Sequence, residues 1–118
     1  MNLAQICTPG YAHRARRVPY RERDLVYTRY GLPRGHYVDG HYVGVRKAYV
    51  IDHLIPLELG GANAVTNLWP EPRSEARRKD RVEAKLHAAV CGHRLALRIA
   101  QRRIAADWRT ALAGQVAK

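Results

Sequence analysis

Between Tyr49 and Gly92 the chain alternates apolar runs and chain breakers in an order that few folds accept. Tyr49-Val50-Ile51 is β-branched and aromatic, so it predicts a strand, which runs into Asp52-His53 and stops near Pro56. Gly60-Gly61 forces a turn. Leu68-Trp69 reads as a second short strand, ended by Pro70 and Pro72. Ser74 then stands as an N-cap, with Glu75 in the first turn where the helix dipole favours a carboxylate. The helix that follows puts Val82, Leu86, Ala89 and Val90 on one face and stops at Gly92. The order strand, turn, strand, helix predicts an α+β fold.

The flanks read more simply. Tyr20 to Tyr30 predicts a helix, with Gly31 at its C-terminal end and Pro33 blocking continuation. The stretch from Gly35 to Gly44 reads as a loop or loose hairpin, and its His36 and His41 read as surface histidines. A last helix over 95–113 carries Leu97, Ala100, Ile104, Trp108, Ala111 and Leu112 as an apolar stripe, with Arg98, Arg102, Arg103 and Arg109 away from it. That stripe is core packing. Residues 1–19, with Pro9-Gly10 and His13, Arg14, Arg16 and Arg17, read as an irregular basic arm. A length of 118 residues fits one domain, 1–118.

Charge narrows the partners. Twenty-one Lys and Arg against ten Asp and Glu give a formal charge of +11, and such an excess attracts polyanions by releasing their counterions. No apolar run approaches ~20 residues, so no membrane partner is expected. Met1 to Gly10 lacks a cationic start followed by an apolar stretch, which points to the cytoplasm. Cys7 and Cys91 lie far apart with no C-x-x-C, so they cannot supply a four-ligand zinc site. They are either a disulfide tying the arm to the body, in a secreted or periplasmic form, or two buried thiols.

The segments D-H-L-I-P-L-E-L-G-G, N-L-W-P-E-P and E-A-R-R-K-D-R-V-E, in that order, resemble the HNH endonuclease family and its small zinc-free subgroup. Upstream C-T-P-G-Y and downstream A-Q-x-x-I-A-x-x-W are similar to the same subgroup. The resemblance implies a ββα-metal core over 49–92 and a metal-dependent endonuclease that hydrolyses phosphodiesters. It implies one divalent ion, Mg²⁺ or Mn²⁺, and no structural zinc. Asp52 becomes the metal ligand and His53 the general base, since an imidazole titrates near neutrality. Side chains on an extended strand alternate, so a bend after the strand must bring both to one place. Asn67 matches the middle Asn, chiefly a brace for the loop that carries the base.

At the third position the chain departs from the family. Glu75 stands where His or Asn is usual, and serves either as a second oxygen ligand for a hard cation or as a dipole-stabilising residue. Arg73, Arg77, Arg78, Lys79 and Arg81 crowd the same helix start and are expected on nucleic-acid phosphates. Such contacts carry no base information, so weak sequence preference follows, with DNA favoured over RNA. Glu58 and Glu83 read as structural partners and Asn63 as a loop residue. The alternative is an inactive nucleic-acid-binding module on the same scaffold. Monomer and homodimer both stay open.

Overall fold

The computed structural model describes residues 2–113. Two short helices open the chain, α1 (Leu3–Ile6) and α2 (Tyr11–Ala15), followed by α3 (Tyr20–Arg29). Two small antiparallel sheets come next: β1 (His36–Val38) with β2 (His41–Val43), and β3 (Tyr49–His53) with β4 (Leu68–Pro72). A long helix, α4 (Arg73–Cys91), and a shorter one, α5 (Leu97–Ala106), complete a mixed α+β architecture. Among the described residues, no helix is long and apolar enough to cross a membrane.

The β3–β4 ladder pairs Tyr49 with Pro72, Ile51 with Pro70 and His53 with Leu68. Alternation along the strands separates two chemistries. Ile51 and Leu68 pack with Val26 of α3 in a small apolar cluster. Asp52 faces the opposite way, toward Lys79 of α4. The main core lies behind α4, where Leu86, Ala89 and Val90 meet Ile6, Leu59, Ala100, Ile104 and Trp108.

Several boundaries differ from the sequence expectation, each for a local reason. The arm 1–19 is not irregular throughout. Asn2 accepts from Gln5 N at 2.9 Å and Gln5 returns a side-chain contact at 3.2 Å, a capping box that starts α1. Strand β4 runs through both prolines instead of ending at Pro70. Alternate residues donate to the same side, and β4 has only one neighbour, so two prolines on one side cost no ladder bond. Pro72, not Ser74, caps α4, and no side chain closes that cap.

The expected continuous helix over 95–113 breaks at Asp107, whose extended backbone and side chain cap a separate 3₁₀ turn at Trp108–Thr110. Trp108 and Ala111 stay buried across the break. The segment between Gly35 and Gly44 is a true hairpin. Asp39 and Gly40 both take positive φ, the geometry that a tight two-residue turn requires.

The two cysteines form a disulfide, with Cα atoms 5.8 Å apart and a sequence separation of 84. It fastens the chain just after α1 to the last turn of α4.

Candidate active site

His53 ends β3 and is only 3% exposed. The chain bends at Leu54 and Ile55, and Asn67 holds that bend. Its Oδ1 accepts from Ile55 N at 3.0 Å, and its Nδ2 donates to Ile55 O at 2.9 Å and Ala62 O at 2.8 Å. Leu54 N donates to Asn67 O at 2.8 Å. All these contacts are to backbone, so Asn67 acts here as a brace. Gly61 fits the same loop because an added Cβ would fall 1.7 Å from Ile55 O.

The tautomer of His53 follows from a residue the sequence reading dismissed. Asn63 Nδ2 donates to Ala15 O at 2.8 Å, which turns Asn63 Oδ1 toward the imidazole Nε2, 3.0 Å away. A carbonyl oxygen only accepts, so Nε2 carries the hydrogen and the neutral ring keeps its lone pair on Nδ1. Arg17 N also donates to that oxygen, at 3.3 Å. Burial pushes the His53 pKa below its ordinary value; Asn63 opposes that shift, and nearby Arg16 adds to it. The ring is therefore neutral at pH 7 and able to take a proton. Asn63 is thus the orienting group for His53. The only hint in the sequence was its position two residues after Gly61.

Lys79 was expected on phosphates, but it is 1% exposed. Its ammonium lies 2.6 Å from Asp52 Oδ2 and 2.6 Å from Glu83 Oε2, and donates to His53 O at 3.1 Å. Hydrogen bonds to Glu83 Oε2 and His53 O, with the ion pair to Asp52, offset the burial of the ammonium, which is why a lysine is tolerated here. Burial pulls its pKa down, but Glu83 and Asp52 outweigh burial and the net shift is upward. Glu83 is pushed up to about 7 by burial, despite the ammonium beside it. Glu71, diagonal to Asp52 across the ladder and 2% exposed, is pushed up to about 8 by burial and then by Asp52. It is a neutral acid at pH 7.

Asp52 and His53 line one cleft of about 270 Å³. Glu58, Asp80 and Glu83 form its acidic wall, and His13 and Arg16 of the arm face them. Burial raises the pKa of Glu58, with Asp80 adding to the shift.

The remaining candidates stand elsewhere. Glu75 does not line the cleft; it pairs with Arg109. An ion partner 34 residues downstream thus occupies Glu75, the residue expected as a second metal ligand. Arg73 donates to Lys47 O at 2.8 Å and Arg78 stacks over Trp108 at 5.4 Å. Arg73, Arg77, Arg78 and Arg81 are exposed on α4, outside the cleft.

Oxygen donors from carboxylates are what a hard cation takes. Lys79 seals Asp52 Oδ2, leaving Oδ1 as the oxygen that can face the cleft, on a side chain 18% exposed. Glu58 and Asp80 share that cleft, so the donor set fits a hydrated hard cation held by few protein ligands. Among the described residues, the one close-set ligand group is Cys7, His87 and Cys91, and its cysteines are oxidised. No family model, characterised protein or solved structure matches the chain.

Proposed function

We propose that this protein is a metal-dependent endonuclease of HNH type, with β3, β4 and α4 as a ββα-metal core and nucleic acid, DNA before RNA, as substrate. The observation that carries the reading is His53, a neutral imidazole kept in one tautomer by Asn63 beside Asp52 in an open cleft. Nδ1 takes a proton from water as the water oxygen bonds to phosphorus and the P–O bond to the leaving alkoxide breaks. Asp52, with Glu58 or Asp80, would hold Mg²⁺ or Mn²⁺, which when bound neutralises charge on the reacting phosphate and the leaving oxygen. Lys79 pairs with Asp52 Oδ2 and holds that carboxylate in place. Exposed arginines on α4 hold the flanking backbone without reading bases. The disulfide favours an oxidising compartment over the cytoplasm.

Nicking of supercoiled plasmid with Mg²⁺ or Mn²⁺, with and without chelator, tests the reading. His53→Ala is expected to lose on the order of 10²–10⁴ in rate, and Asp52→Ala to lose its metal dependence. Equal nicking by wild type and His53→Ala would end the proposal. One observation favours a second reading, an inactive nucleic-acid-binding module: the Lys79 ammonium already sits on Asp52 as a built-in cation. Tight DNA binding with no metal-dependent nicking would select it.

A further inference from the structure

We infer that Arg16, on the N-terminal strap and outside the β3–β4–α4 unit, grips the scissile phosphate, and that the Cys7–Cys91 disulfide keeps it there. The inference rests on the nuclease reading above and names a residue which that reading does not use. Acidic side chains dominate the cleft around His53: Asp52, Glu58, Asp80 and Glu83. Beyond the ion that Asp52 with Glu58 or Asp80 would hold, a phosphate at such a wall needs a fixed cation on the opposite side. The basic residues of α4 do not provide one, because the exposed arginines lie outside the cleft and Lys79 is sealed beneath Asp52. Arg16 lines the cleft beside His53 and is exposed. A single bond to Ile51 O at 3.4 Å occupies part of its guanidinium, leaving donors for a planar, bidentate grip on phosphate oxygens. His13 stands on the same rim as a lesser donor.

The strap is tethered at three levels. The disulfide closes on α4, Ile6 is 1% exposed in the main core, and Ala15 O accepts from Asn63, the group that orients His53. One segment therefore supplies the phosphate cation and part of the brace for the base.

The test measures plasmid nicking under Mg²⁺ as separate kcat and KM values. Arg16→Ala is expected to lose on the order of 10²–10³ in kcat, the scale of removing one transition-state donor. Arg16→Lys, with charge but no fork, should recover part of the loss. Arg102→Ala, on an exposed α5 arginine outside the cleft, serves as the neutral control. The disulfide is tested by a cycle. Cys7→Ser/Cys91→Ser should cost kcat heavily when Arg16 is present and little in the Arg16→Ala background, with thermal melting showing that each variant is folded.

An Arg16→Ala loss confined to KM, or no loss, overturns the assignment while leaving the nuclease reading intact. Full multiplication of the two losses overturns the role of the strap. A wild type that never nicks overturns both the inference and the reading beneath it.

Discussion

Along α4, Lys79 and Glu83 are buried like Leu86, Ala89 and Val90, yet they exclude water for different reasons. The C-terminal half is apolar and faces α5 and α1, so burial itself stabilises it. The N-terminal half buries charge beneath β3, where desolvation opposes folding and only close pairing offsets it. The first half builds a platform. The second holds Asp52 in a defined position on that platform, at a cost in stability that an apolar core would avoid.

The largest expected effect breaks the charged half. Lys79→Met should destabilise by about 3–5 kcal/mol, because it leaves Asp52 and Glu83 facing each other without a cation. Denaturant unfolding measures this, and adding Glu83→Leu should recover part of the loss. A single Lys79→Met that is neutral would mean that water already screens the cluster. Next, Leu86→Ala, at a site 0% exposed, should cost about 2–5 kcal/mol while leaving plasmid nicking per folded molecule unchanged. A large fall in kcat at constant fold would couple the two halves more closely than proposed.

The smallest effect sharpens the comparison through pH. Glu71 is raised from 4.5 to about 8 in the folded protein, so its contribution is fully present below about 4.5 and is lost as pH rises through 8. In chelator, thermal melting of Glu71→Gln should therefore fall less between pH 5 and 8 than that of wild type. Parallel curves would show that Glu71 is not held as the neutral acid.

Much of this was legible in the chain. Tyr49-Val50-Ile51 running into Asp52-His53, the breaker at Gly60-Gly61 and the face of Leu86, Ala89 and Val90 are local patterns, and local patterns survive folding. Asn67 was readable by the same logic, since it ends the loop it braces. Lys79 was misread because helical spacing gives the face of a residue but not what that face meets. Among five basic residues at the start of α4, only packing chose one for burial. Glu75 was misread for the same reason, since Arg109 reaches it only after α5 has turned back.

Composition, periodicity and turn chemistry by themselves determined the order strand, turn, strand, helix over 49–92, while the resemblance singled out the dipeptide Asp52-His53. Tertiary structure alone decided which groups from distant segments meet at that dipeptide: Asn63 and Ala15 on the imidazole, Lys79 and Glu71 about Asp52, and Arg16 across the cleft. The physical reason is range. Propensity and hydrogen-bonded turns act over a few residues, whereas desolvation and ion pairing act through space and have no value until the chain has closed.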